Sequence, residues 1–224
     1  MSTTNTPTPL AAPTGSRKER PILFSGSMVQ AILTGRKTQT RRIVKPQPTA
    51  DEVAEGLKLT KERWLLYGHE YRGHAIRCPY GAPGDRLWVR ETWMPYDASP
   101  TRSLYRSDDP AGHIDRGWHP SIHMPRWASR ITLEIVAVRV ERLQDISEDE
   151  ARLEGAQPME DLGNVYASTR SGSHFPVSSF RDGFKYLWDT INGTGAWDLN
   201  PWVWVVEFKT SNTEVSGSSA GPRH

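Results

Sequence analysis

The stretch Gly35-Arg36-Lys37-Thr38-Gln39-Thr40-Arg41-Arg42 constrains the fold more than any other in the chain. Five positive side chains stand between Arg36 and Lys45 with no acid among them, and two threonines are interleaved. Charge at that density has to meet solvent, carboxylates or an anionic ligand. Val29, Ile32 and Leu33 precede it at the spacing of one helix face. Ser25 or Ser27 can cap that helix, and Gly35 ends it. Thr38 to Val44 is β-prone and is stopped by Pro46 and Pro48. The cluster is therefore expected at a helix-to-strand junction, as the floor of a nucleic-acid or nucleotide site.

The surrounding chain supports one domain. Its 224 residues can bury a sizeable core. The hydrophobic fraction, 36%, is low because residues 1–20 and 211–224 read as disordered polar tails. The expected domain spans 21–210, with insertions at about 49–82, 94–127 and 157–177. No signal peptide and no membrane span is read from the sequence. One cysteine, Cys78, cannot form an intrachain disulfide and fits a reducing cytoplasm. His69, His74 and Cys78, like His113, His119 and His123, match no zinc spacing, so neither metal nor cofactor is expected.

Strand patterns outnumber helices. Pro21–Phe24, Trp64–Tyr67, Ala75–Arg77, Arg86–Glu91, Ile131–Leu143 and Trp202–Phe208 read as strands. In the longest, Leu133 and Ile135 take one face and Val136, Val138 and Val140 the other, a phase shift that signals a bulge or two-sided burial. The segment 49–62 reads as an inserted helix or loop, and 94–127 as an irregular loop. Ser147 with Glu150 is a capping box for a helix reaching about Glu154, and Phe180 to Ile191 is an amphipathic helix. Strands and helices do not alternate, which points to an α+β chain built on a small mixed β-barrel carrying helices.

Three constellations carry candidate chemistry. A lysine beside a threonine hydroxyl can activate it if burial or neighbouring cations remove the lysine proton, which makes Lys37 and Thr40 a candidate pair. Arg36, Arg41 and Arg42 can supply those cations or bind phosphate as forks. The plainer reading is a solvated basic turn at a helix C-terminus. Among Asp145, Glu148, Asp149, Glu150 and Glu154, the last stands at the end of its helix, where an acid is mildly unfavourable. That makes Glu154 the candidate charge partner or acid/base. Arg90 and Trp93, at a strand end, can line a barrel mouth, against the plainer reading of a surface salt bridge.

Three segments resemble the ASCH domains of the PUA-like superfamily: Ile32-Leu33-Thr34-Gly35-Arg36-Lys37-Thr38-Gln39-Thr40-Arg41, Gly84-Asp85-Arg86-Leu87-Trp88-Val89 and Trp204-Val205-Val206-Glu207-Phe208. The chain from about Arg20 to Thr210 also resembles ASCH-like proteins of phages and prophages, with Arg20–Phe24 and Cys78–Gly81 as further shared segments. The resemblance implies a barrel with a cleft beside the first motif, binding RNA, DNA or a modified nucleoside. One branch is an acetylcytidine amidohydrolase, whose lysine, threonine and glutamate match Lys37, Thr40 and Glu154. By that likeness Thr40 is the nucleophile, Lys37 its activator, Glu154 the acid/base group, and Arg41 or Arg42 holds an anion or oxyanion. Ribonuclease activity is a third implication. The insertions, and Arg41 where that branch has an apolar residue, are departures that favour a phosphate-bearing ligand. The sequence thus favours binding, with hydrolysis second.

Overall fold

The computed structural model describes residues 17–48, 58–60, 63–66, 74–96, 102–114, 117–158 and 179–211. The expected tails at 1–16 and 212–224, the turn at 68–70 and the segment 159–177 lie outside those residues.

Order begins within the expected tail. Strand β1 (Glu19–Leu23) pairs in parallel with β6 (Arg86–Arg90), so Glu19 and Arg20 already belong to the sheet. Asp85 fixes that start: it accepts from the Lys18 amide at 3.1 Å and pairs with Arg20 at 2.8 Å. Helix α1 (Gly26–Leu33) follows, with Ser25 at its N-cap. The Ser25 hydroxyl lies 3.2 Å from the Ser27 hydroxyl and makes no cap bond to an amide. Gly35, at φ +73°, ends the helix in the left-handed conformation that glycine adopts without steric cost. Strand β2 (Gln39–Ile43) comes next.

The insertions carry structure of their own. β3 (Lys58–Thr60), β4 (Arg63–Leu66) and β5 (His74–Ile76) form a three-stranded antiparallel sheet; β4 and β5 fall on the expected strands, and β3 is a strand where a helix or loop had been expected over 49–62. β7 (Trp93–Pro95) and β8 (Ser103–Tyr105) pair within the segment expected to be irregular, followed by 3-10 turns at Arg106–Asp108, Ser121–His123 and Arg126–Ala128.

The main sheet is completed by β9 (Thr132–Arg142) and β10 (Trp202–Thr210), in the order β1-β6-β9-β10-β2. Every pairing except β1–β6 is antiparallel. The chain is thus mixed α+β, and its described strands form an open order with β1 and β2 at the edges. The two edges nevertheless meet through a side chain: Arg42 donates from Nη2 to the Leu23 carbonyl at 2.7 Å.

The phase shift in β9 is a bulge. Ala137 pairs with Glu207 and Ile135 with Phe208, which leaves Val136 unpaired and half exposed. The extra residue resets the alternation. Leu133, Ile135, Val138 and Val140 therefore all pack into one cluster, where the sequence had put the two pairs on opposite faces.

Two apolar layers flank the sheet. One holds Ile22, Phe24, Ile32, Leu87, Trp204 and Val206. The other packs Val203 and Val205 against α2 (Glu148–Leu153) and α3 (Phe180–Asn192) through Ala151, Phe184, Trp188 and Trp197. Each fully buried aliphatic side chain contributes about 1.5–3 kcal/mol relative to exposure. The capping box is present: Ser147 Oγ accepts from the Glu150 amide and Glu150 from the Ser147 amide. No described helix is long and apolar enough to cross a membrane.

Candidate functional site

The site grows from the free edge of β2. The C-terminal turn of α2 docks there: the Thr38 amide donates to the Leu153 carbonyl at 2.9 Å, and Lys37 bridges Glu154 as a strand partner would. Gly155 makes the approach possible. It sits at φ +80°, and a Cβ there would stand 3.0 Å from the Ala31 Cβ and 3.2 Å from the Lys37 Cβ. A side chain at 155 would push the helix end off the strand.

That docking buries charge. Lys37 and Glu154 are each 2% exposed. The Lys37 amine donates to Glu154 Oε2 at 2.9 Å and to the Glu154 carbonyl at 2.7 Å. It therefore serves the helix C-terminus, whose last carbonyls lack partners and favour a cation. Arg41 holds the other carboxylate oxygen, Oε1, at 3.1 Å. It also reaches Glu141 at 3.0 Å and Glu150 at 3.1 Å. Arg139 extends the network through Glu141, Glu150 and Glu207. Gln39 donates to the Glu150 carbonyl at 2.9 Å.

The electrostatics single out Lys37. Burial pushes its amine below the ordinary lysine range. Glu154 pulls the other way by charge and hydrogen bond, while Arg42 and Arg41 add to the lowering. Burial also lowers the Arg42 guanidinium from its ordinary value. Arg42 lies 5.3 Å over the Phe24 ring, and the Lys37 ammonium 5.6 Å over the same ring.

A cavity of about 310 Å³ opens on this network. Thr40, Arg41, Arg42 and Glu154 line it with Tyr80, Trp204 and the apolar face of α3 at Phe184, Leu187, Trp188 and Ile191. Thr40 pairs with Val206 and Arg42 with Trp204, so both lie on the face of the sheet that carries Trp204 and Val206. Thr40 is 2% exposed, and its hydroxyl makes no hydrogen bond to a described residue. A carboxylate paired with a buried lysine, and a hydroxyl with no bond to a described residue, on one cavity is an arrangement suited to proton transfer and nucleophilic attack.

The expected residues fall into three groups. Thr40, Glu154 and Arg42 line one cavity, while Lys37 is outside that lining and meets it through Glu154, 2.9 Å away. Lys37 and Arg41 are not the phosphate forks that a binding site would use, because their side chains have no exposed surface and are held by carboxylates. The basic cluster is therefore no solvated turn: its centre is buried against acids, and only its two ends, Arg36 and Lys45, are exposed. Trp93 lies away from the cavity, buried with Met124 and Ala128 and packed edge-on to Trp127, so it is core and not a base-stacking platform. Arg90 forms no surface ion pair with a described residue; its guanidinium stacks 4.8 Å over Trp88 and donates to the Met124 carbonyl at 3.1 Å.

Sequence reasoning missed Glu141, Glu150 and Arg139 as members of the network, and Tyr80 and Trp188 as walls. Nothing local marks them; strand register and helix docking bring them in. No family model, curated protein or solved structure matches the chain.

Proposed function

We propose that the protein is an amidohydrolase that removes an acyl group from a nucleobase amine, of the acetylcytidine type. The observation that carries this reading is the buried Lys37–Glu154 pair, 2.9 Å apart, whose carboxylate lines a cavity together with Thr40. The resemblance of the basic motif to ASCH domains supports it, as does the cavity volume, which suits a ligand of nucleoside size. We read the five-stranded sheet, with α1 between its edge strands and Arg42 joining them, as the barrel of that fold class.

In this reading Thr40 Oγ attacks the acyl carbon of the substrate amide. Lys37, whose pKa burial lowers, accepts the hydroxyl proton when in its amine form and returns it to the departing ring amine. Arg42 donates to the carbonyl oxygen as it gains charge. Glu154 keeps the lysine amine in place and steadies the ammonium once it forms. Water then takes over the attack: it loses a proton to Lys37, and Lys37 passes that proton to Thr40 Oγ as the ester bond breaks and the carboxylic acid leaves.

Incubation with N4-acetylcytidine tests the reading. Wild type is expected to release cytidine and acetate, and Lys37→Ala to lose that activity. A wild type that leaves the amide intact would sink it. A second reading is a nucleotide-binding protein without turnover, supported by Arg42, which lines the cavity and pairs with no described carboxylate. In that case cytidine nucleotides bind, tighter at low salt, while the amide survives.

A further inference from the structure

Most arginines around the main sheet are matched by acids: Arg20, Arg41, Arg106, Arg130 and Arg139 each form an ion pair. Arg42 and Arg90 form none with a described residue. They are also neighbours. Leu23 pairs with Arg90 in the β1–β6 register, and the Leu23 carbonyl accepts from Arg42. Both arginines line a second cavity, of about 240 Å³, whose other walls are Pro21, Ile22, Leu23 and Tyr80. No acid lines it.

Each guanidinium is fixed from behind. Arg42 commits Nη2 to the Leu23 carbonyl, and Arg90 commits Nε to the Met124 carbonyl while lying on Trp88. Their remaining N–H groups have no partner among the described residues. Two oriented forks without counter-charge, against an otherwise neutral wall, have the chemistry of a phosphate site. The second cavity is continuous in its lining with the first, because Arg42 and Tyr80 belong to both. A ligand filling both would pass the same guanidinium with its base on one side and its anionic end on the other.

We propose that this second cavity takes a phosphate of the ligand, so that a nucleotide binds more tightly than the bare nucleoside that the first cavity admits. The proposal rests on the nucleoside reading of the first cavity, but its test does not depend on turnover. The phosphate can come from a free nucleotide, as a monoester, or from a strand, as a diester.

Binding of cytidine, cytidine 5′-monophosphate, cytidine 3′-monophosphate and a cytidylyl dinucleotide should be measured by titration calorimetry with wild type and Arg90→Gln. A phosphate-bearing ligand is expected to bind wild type at least about tenfold more tightly than cytidine, the size of one charge-assisted bond. That ratio should fall about tenfold or more in Arg90→Gln and should shrink between about 50 and 200 mM salt in wild type. A preference for a monophosphate assigns the site to free nucleotides, and one for the dinucleotide to a strand. Equal affinity for all four ligands overturns the proposal, as does a full phosphate preference in folded Arg90→Gln. Should that variant not fold, a wild-type preference indifferent to salt overturns it. A phosphate preference without deacetylation of acetylcytidine would sink the hydrolase reading and uphold the phosphate site.

Discussion

Two carboxylates are buried among the described residues, and they are used differently. Glu91, 1% exposed, accepts from Ser107 at 2.5 Å and from Arg130 at 2.9 and 3.2 Å. Arg130 also grips Asp108 at 2.6 Å and lies 3.9 Å over the Tyr105 ring. Neither Glu91 nor Arg130 lines either cavity. The Gln30 amide ties the same segment to α1 through the Ser107 carbonyl at 2.8 Å. This cluster fastens the 103–109 segment to the sheet. Glu154, 2% exposed, is likewise held by two cations, yet it lines a cavity together with Thr40, whose hydroxyl bonds to no described residue. The balance of forces differs too. Burial works against the charge on Arg130, but Asp108 and Glu91 outweigh it, and the guanidinium pKa is raised. At Lys37 burial wins over Glu154, and the pKa is lowered. A buried ion pair therefore says little by itself; which term wins, and what is left uncommitted, separates a rivet from a reactive site.

Substitutions can break that distinction. The largest effect is expected at the open cluster: Lys37→Ala should cut deacylation about a thousandfold. Glu91→Ala should leave turnover per folded molecule unchanged but cost about 3–5 kcal/mol, because Arg130 loses a buried partner. Denaturant melts beside initial rates would reveal an inverted pattern, which would erase the contrast. Thr40→Val should abolish turnover while changing stability by no more than about 1 kcal/mol, since its hydroxyl has no described bond to lose.

The pH dependence sharpens the same comparison. Folded Lys37 holds its proton less firmly than the unfolded chain does. Between its lowered value and the ordinary lysine value the unfolded chain binds the extra proton, so this group's contribution to stability rises with pH across that window. The rate should rise as Lys37 loses its proton. Glu154→Gln removes the main influence holding that proton, so the alkaline rise should begin at lower pH; a pH–rate series showing no displacement would count against Lys37 as the base. The smallest effect is expected at Arg36, which is exposed and bonded only to Thr34 at 3.2 Å. Arg36→Ala should shift stability by less than about 0.5 kcal/mol.

How far the sequence could reach depended on distance along the chain. The capping box at Ser147, the stop at Gly35 and the bulge in β9 were legible, because each is written within a few residues. Glu154 was legible as an oddity, an acid at the wrong end of its helix; the structure explains it by the Lys37 amine that arrives at that end. The fate of Arg41 was not legible. Its partners Glu141 and Glu150 lie on β9 and α2, and only the β9–β10–β2 register brings them across from it. Trp93 misled for a related reason: its cluster is completed by Met124 and Ala128, from a segment with no readable periodicity. The short strands β3, β7 and β8 gave too few residues for alternation to show.

The docking of α2 on β2 also bears on solubility. An edge strand offers unpaired amides and carbonyls to any other extended chain, which is how folded proteins begin to stack into fibrils. Here the helix end occupies the first of those positions, through the Thr38 amide and the Lys37–Glu154 bridge. Arg42, half-buried and in no ion pair with a described residue, adds charge further along the strand, a poor match for a neighbouring copy. The contact that assembles the candidate site thus also acts as a guard: a chain whose α2 lifts away exposes its reactive groups and its stickiest edge together.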